Sequence, residues 1–443
     1  MNRQYLRKLL TIAVPIIFSN IISQVQMLVD RAFLGNVDPM YMSALGNVNS
    51  PLWTTMSFCF TIVTGASILI SQGVGAGNKE KMEDYAAAMI KWNNIIPVIL
   101  FFFWSFGARF VFQALGVSEK VMPMCLGYTK YFAPIFLVVG LEASCSVILQ
   151  TSNYTKPLIF YGLTRAGLNV VLDWLLIFGH FGFPAMGIEG AAIATTISEY
   201  VGCAYAMFIF LTSKKLTTRP SWKKVCKAKI RHYLEAAKLG INTALEDFSW
   251  NVGNLILIRI LNSINEMAAG IYSIVFGIEV LIVVVIGSIG NGTLTITSEA
   301  RGSRDVKMYK GVCILAYLLT VAVSLITLVF CLLFPNEIIG CFTKDRSVIA
   351  MCTGYLVLMC INLYSKSANI IIGNGIRGSG NTRWMFYTQI FGTVFVVSCA
   401  ALFVFVFKLG ITGVFLAVLS DEFVRALINL CKYLRIVKKW DEV

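Results

Sequence analysis

Apolar residues run in long blocks along the chain, and short polar stretches separate them. The blocks predict helices at roughly 9–34, 45–75, 90–112, 125–150, 158–179, 188–212, 233–260, 268–297, 312–334, 350–376, 385–407 and 412–434. Each is long enough to cross a bilayer, which takes about 20 residues at 1.5 Å rise. No run of ten-residue segments with alternating apolar and polar positions is present, so a transmembrane β-barrel is not predicted. The pattern describes an all-α integral membrane protein with twelve transmembrane helices.

Composition agrees. Of the 443 residues, 57% are hydrophobic and 14% charged, with mean hydropathy +0.74, far too apolar for a soluble chain of this size. The net charge of +14 would suggest a nucleic-acid partner in a soluble protein. Here the basic residues collect in alternate loops, which excludes that reading. The two terminal segments and every second loop hold 25 Lys and Arg, the intervening loops only Lys120, Lys344, Arg346 and Lys408. The positive-inside rule then places both termini in the cytoplasm and requires an even number of spans. The expected location is the cell membrane, with membrane lipid as a partner. The first block follows Arg3, Arg7 and Lys8 but is too long for a signal peptide and lacks a small-residue cleavage site, so no cleavable signal is expected. Twelve cysteines lie scattered, and His180 and His232 are the chain's two histidines. That distribution points to packing cysteines, with no metal site and no cofactor.

The two halves repeat. Ser71-Gln-Gly-Val-Gly-Ala-Gly-Asn aligns with Ser298-Glu-Ala-Arg-Gly-Ser-Arg-Asp, and Thr151-Ser-Asn-Tyr-Thr-Lys with Gly378-Ser-Gly-Asn-Thr-Arg, both at a shift of 227. Gly187-Ile-Glu-Gly aligns with Gly410-Ile-Thr-Gly at a shift of 223, and Glu199 with Glu422 at the same shift. Each half has six helices and begins on the same side, so the repeat is parallel, with a pseudo-two-fold axis along the membrane normal. The expected organisation is an N-terminal six-helix bundle at 1–212, a basic cytoplasmic linker at 213–232 and a C-terminal six-helix bundle at 233–443. Two such bundles facing each other would leave a cavity suited to alternating access. The linker carries eight basic residues and no acid between Ser213 and Arg231, and reads as a solvated segment that also touches anionic headgroups. The Gly-rich pieces at Gly73 and Gly373 lack the Lys and Ser/Thr of a phosphate-binding loop and read as turns and close helix packing.

Charged residues inside apolar helices cost free energy and mark ion or proton paths. Asp30 lies near the outer end of the first helix, Asp173 near the outer end of the fifth, and Thr195 near the outer start of the sixth. Counting 1.5 Å per residue, the three fall at similar depth. Asn169 is four residues before Asp173 and shares its face. Asp30, Asn169, Asp173 and Thr195 could bind a small cation through oxygen, or one carboxyl could carry a proton. Asp30 taken alone also reads as an interfacial charge beside Arg31, Asn169 as a helix–helix hydrogen bond and Thr195 as a back-bond to its own helix. The repeat gives this set no copy: Asp30 corresponds to Leu257 and Asp173 to Ala400 or Val396.

Together these pieces resemble the multidrug and toxic compound extrusion (MATE) transporters. The matching residues are Pro15, Asp30 and Gly35 in the first helix, Ser71-Gln-Gly-Val-Gly-Ala-Gly-Asn after the second, and Leu168-Asn-Val-Val-Leu-Asp-Trp in the fifth. Gly187-Ile-Glu-Gly-Ala-Ala in the sixth, Arg377-Gly-Ser-Gly-Asn-Thr-Arg after the tenth and Gly410-Ile-Thr-Gly in the twelfth complete the set. The resemblance implies two six-helix bundles arranged as a V, and efflux of small organic, often cationic, compounds by antiport. It implies H⁺ or Na⁺ as coupling ion at Asp30, Asn169, Asp173 and Thr195, bending of the first helix at Pro15, and a monomer. One branch of the family has acidic groups in helices seven and ten as a C-terminal cation site. Glu246 fits the first, but the second position holds Lys366, eleven residues before Arg377. Lys366 is therefore expected to pair with Glu246, Asp247 or Glu279 in a C-terminal charge cluster that holds no exchangeable cation.

Glu142, with no obvious partner, stands out among the remaining intramembrane charges. Glu199 and Glu422 read as structural, and Arg165 as a side chain snorkelling to the inner interface. Met27, Met56, Phe60, Tyr161 and Tyr272 read as packing or as the lining of an adaptable drug cavity. The alternative function is a lipid-linked oligosaccharide flippase of the same superfamily, which would need a strongly cationic cavity, whereas the intramembrane charges here are mixed and acid-rich. No pore loop supports a channel, and no nucleophile, metal or cofactor constellation supports an enzyme.

Overall fold

A computed structural model describes residues 3–265, 267–343 and 345–441. Lys344, counted above with the outer loops, lies outside the described residues. Six long helical segments fill the first half: Arg3–Val37, Pro39–Gly75, Lys79–Ala114, Met122–Thr151, Lys156–Phe178 and Gly187–Thr212. Six more follow: Ile230–Asn262, Ala268–Ser303, Val306–Leu333, Arg346–Gly378, Thr382–Val406 and Gly410–Asp441. Most extend past the hydropathy bounds, because hydropathy marks only the apolar stretch while the helix continues through polar turns. Among the described residues, nine of these are apolar enough to span a membrane by composition alone. The fifth, seventh and twelfth fall short because they carry charges, and those charges build the sites described below.

Local chemistry explains the breaks. The third segment is interrupted at Asn93–Asn94, where the Asn93 amide donates to the Gly140 carbonyl at 2.9 Å and stands in for a helix partner. The fourth tightens to a 3₁₀ turn over Ala133–Ile135, where Pro134 has no N–H to give. The fifth ends at Gly179, whose φ of +75° is a left-handed cap that a side chain would strain.

The chain forms two compact units. One holds Pro15–Val74 and Asn78–Ile241, the other Met1–Val14, Gly75–Gly77 and Asn242–Val443. The division departs from the sequence boundaries at both ends of the first half: Gly75–Gly77 group with the second half, and the first-half unit runs on through the linker to Ile241. The first helix contributes its opening turns to the unit made mostly of the second half, and the change falls at Pro15. The linker packs with the first-half unit instead of standing free. Its short helix Trp222–Cys226 is capped by Ser221 and places Lys224 at 3.3 Å from Glu83 and 3.0 Å from Asp84. Partial burial lowers the Lys224 pKa, but the Asp84 and Glu83 carboxylates raise it by more, so the ammonium sits above its ordinary range. The Trp92 indole donates to the Ala228 carbonyl at 3.0 Å. The core of the first-half unit is built on Trp104, Phe112 and Phe136. In the other unit Leu261, Leu356 and Leu363 pack centrally, and Tyr309 stacks on Tyr433 in a separate cluster.

Candidate functional site

Two polar stripes build the first-half site. On the first helix Ser19, Ser23, Gln26 and Asp30 are spaced by four, three and four residues and share one face. On the fifth, Gly162, Arg165, Asn169 and Asp173 are spaced by three, four and four. Gly162 permits the approach of the two helices, since a Cβ there would meet Ser19 Oγ at 3.0 Å. The sixth helix supplies Thr195 and, four residues on, Glu199.

The four predicted residues come together. Asn169 and Asp173 are fully buried, while Asp30 and Thr195 are half-buried. The Asp30 and Asp173 carboxyls lie within hydrogen-bonding reach of each other. Gln26 Nε2 donates to Asn169 Oδ1 at 2.7 Å, and Asn169 Nδ2 faces Thr195 Oγ1 at 3.4 Å. Turning the Asn169 amide over places its nitrogen 2.9 Å from Asp30 Oδ1 and lets its oxygen accept from the Thr195 N–H at 3.3 Å. That orientation satisfies the carboxylate and replaces the Gln26 Nε2 bond to Asn169, so Gln26 turns over with it and presents its oxygen to the Asn169 nitrogen. Thr195 Oγ1 also donates back to the Ala191 carbonyl at 2.9 Å. Asp173 Oδ1 is buried with no partner among the described residues. Gln26 was missed in the sequence, although its position one turn before Asp30 signals it. Tyr128 of the fourth segment, close enough to interact electrostatically with both carboxyls, had no such signal.

Arg165 does not snorkel to the interface. Its guanidinium pairs with Glu199, and Nη2 donates to Ser23 Oγ at 2.5 Å. A buried carboxylate one helix away holds it better than an extended stem could.

The second-half cluster divides in two. Lys366 Nζ lies 2.7 Å from Glu279 Oε1 and 3.7 Å from Glu422 Oε1. Asn362 donates to Glu279 at 3.3 Å, and Asn369 to Glu422 Oε2 at 2.7 Å. Arg425 binds Asp421 at 2.8 Å and Glu422 at 3.0 Å. A cavity of about 40 Å³, water-sized, is lined by Trp250, Tyr272, Phe276, Glu279, Lys366 and Asp421 among others. Glu246 belongs elsewhere: it pairs with Arg377, and Asp247 lies beside them. The expectation of one cluster holding Glu246, Asp247, Glu279 and Lys366 is corrected accordingly. Lys366 stands eleven residues before Arg377, about 16 Å along the tenth helix, too far for one carboxylate to serve both.

The MatE family profile matches residues 15–175 and again 243–402, one copy in each half. The chain is 26% identical to the "Probable multidrug resistance protein NorM" of Thermotoga maritima, over 98% of this chain and 93% of that protein. It is 25% identical to the "Uncharacterized transporter YisQ" of Bacillus subtilis over 89% of each. Its fold is similar to a structure described as the outward-facing conformation of a multidrug resistance MATE family transporter of the MOP superfamily, with TM-score 0.91, 17% identity, and 98% and 96% of the two chains covered. A MOP superfamily transporter from Pyrococcus furiosus, described as having a binding pocket of reverse polarity, matches with TM-score 0.90 and 18% identity over 98% and 96%.

Proposed function

The chain belongs to the MatE family of membrane transporters, and we propose that it exports small organic, often cationic, compounds across the cell membrane in exchange for H⁺ or Na⁺ by alternating access. The observation that carries the reading is the contact of Asp30 with Asp173, closed by Asn169, in a unit whose repeat partner has Leu257 and Ala400 or Val396 at the matching positions. Two carboxyls in hydrogen-bonding contact need a proton between them, or a cation in its place. With two anionic oxygens, an amide and a hydroxyl, the site suits one monovalent charge. The names of the relatives, several of them multidrug resistance proteins, support organic compounds as cargo. In this reading both termini face the cytoplasm, which the distribution of loop charges supports.

Filling the site cancels one of the pair's two negative charges and changes how the first helix packs against the fifth. Above Pro15 that helix packs in one unit and below it in the other, and the missing N–H weakens the helix there. A change at Asp30 therefore biases the transport equilibrium through a segment able to bend.

Uptake of a fluorescent organic cation into proteoliposomes, under an imposed pH or Na⁺ gradient, tests the reading with wild type and Asp30→Asn. Gradient-driven uptake is expected for wild type, with at least tenfold loss in the variant. Uptake indifferent to both gradients sinks the antiport reading, and equal rates remove Asp30 from it.

A further inference from the structure

The first-half unit contains a second group of charges that the Asp30–Asp173 pair does not use. Glu142, on the fourth segment, is 9% exposed. Ser146 Oγ donates to its Oε1 at 3.2 Å, and Tyr161 of the fifth helix hydrogen-bonds with it. The same Tyr161 hydroxyl donates to Glu199 Oε2 at 3.3 Å. Glu199 is paired with Arg165, whose other arm is held by Ser23. Two carboxyls thus share one hydroxyl bridge, and the guanidinium is engaged by only one of them. Cys145 on the same helix and Cys203 on the sixth complete the titratable groups around Glu142.

The donor count decides where a proton belongs. A tyrosine has one O–H to donate. The Tyr161 O–H is placed toward Glu199 at 3.3 Å, and given there it cannot also serve Glu142. With a proton on Glu142 every contact is matched: its O–H donates to Tyr161 Oη, and the Tyr161 O–H to the Glu199 carboxylate.

The internal repeat gives an independent comparison. At the shift of 227, Glu142 corresponds to Asn369, and at 223 Glu199 corresponds to Glu422. In the second-half unit Asn369 Nδ2 donates to Glu422 Oε2 at 2.7 Å. An amide there is a permanent donor to the glutamate that both halves carry at this position. A protonated carboxyl plays the same role but can be switched off.

We propose that Glu142 is a second, exchangeable proton-binding site, linked through Tyr161 to Glu199 and set apart from the Asp30–Asp173 pair. On the fifth helix Arg165, the partner of Glu199, is eight residues before Asp173 and Tyr161 twelve, about 12 Å and about 18 Å along the axis. Hydronium gives its proton to Glu142, breaking one O–H bond to leave water as the Glu142 O–H forms, and deprotonation returns the proton to water and restores the carboxylate. Loss leaves two carboxylates to one guanidinium. Arg165 Nε, buried without a partner among the described residues, is the donor free to meet the new charge. Within the antiport reading, on which this consequence rests, the protein carries a second proton per cycle. The binding itself does not depend on that reading.

Infrared difference spectroscopy of the purified, reconstituted protein tests it without substrate. The protein carrying Asp30→Asn and Asp173→Asn should keep a protonated-carboxyl C=O band that disappears as pH is raised. Adding Glu142→Gln should remove that band, and thermal melting should show the triple variant folded, since glutamine supplies the amide that Asn369 supplies in the other half. Tyr161→Phe should keep the band and move its midpoint. A band that survives Glu142→Gln, or no pH-dependent carboxyl band distinguishing the two proteins, overturns the proposal; an unmoved midpoint in Tyr161→Phe overturns the relay. Failure of antiport in the uptake assay leaves this readout intact, so the two ideas fail separately.

Discussion

Lys366 stands between two buried carboxylates, and its removal leaves them without their cation. Among the described residues Glu279 keeps the Asn362 amide at 3.3 Å, while Glu422 retains Arg425 and Asn369. Stripping one partner from a buried pair costs about 3–5 kcal/mol. Lys366→Met should therefore lower the melting temperature in detergent by many degrees, and adding Glu279→Gln should recover a large part of the loss. An unchanged melting temperature in the single variant would show that the pair contributes nothing to stability. At this scale the sequence told much about the first-half site. Residues four apart on one helix must share a face, which joins Asn169 to Asp173 and Gln26 to Asp30. It told less about Lys366, because three acids lay at comparable depth and depth says nothing of the direction a side chain takes around its helix.

The first helix is continuous from Arg3 to Val37 with Pro15 inside it, yet its residues divide between the two units at that proline. Leu9, Ile12 and Ala13 are fully buried before it, and Gln26 is buried beyond it. Proline in a helix interior removes one hydrogen bond and crowds the preceding turn, at about 3 kcal/mol. Pro15→Ala should raise or preserve thermal stability while slowing gradient-driven uptake severalfold, because a stiffer helix resists the bend. Unimpaired uptake by this variant would remove Pro15 from the mechanism. Element positions were readable along nearly the whole chain, since twenty apolar residues in a row have few other uses. The breaks at Asn93 and at Ala133–Ile135 were not, because each depends on a tertiary partner or a single proline inside an otherwise apolar block.

For the whole molecule, orientation can be read out with native thiols. Cys341 and Cys226 are both exposed, the first beside the loop before the tenth helix and the second in the basic linker. If the termini are cytoplasmic, a membrane-impermeant maleimide added to intact cells should label Cys341 and spare Cys226 until the membrane is opened. The reverse pattern would invert the topology. Counting basic residues sufficed for this prediction because the membrane potential and anionic headgroups act on loops one by one, whatever the tertiary packing.

The sequence by itself determined the membrane class, the twelve helices, the repeat and the depth of Asp30, Asn169, Asp173 and Thr195. Those properties follow from periodicity, length and charge, which are local or additive along the chain. Only the tertiary structure decided which polar groups meet: Lys366 with Glu279 and Glu422, Glu246 with Arg377, Arg165 with Glu199, and Tyr161 with Glu199. The physical reason is that an ion pair or hydrogen bond forms over about 3 Å. Its partners are fixed by the rotation and tilt of neighbouring helices, and a one-dimensional pattern carries neither.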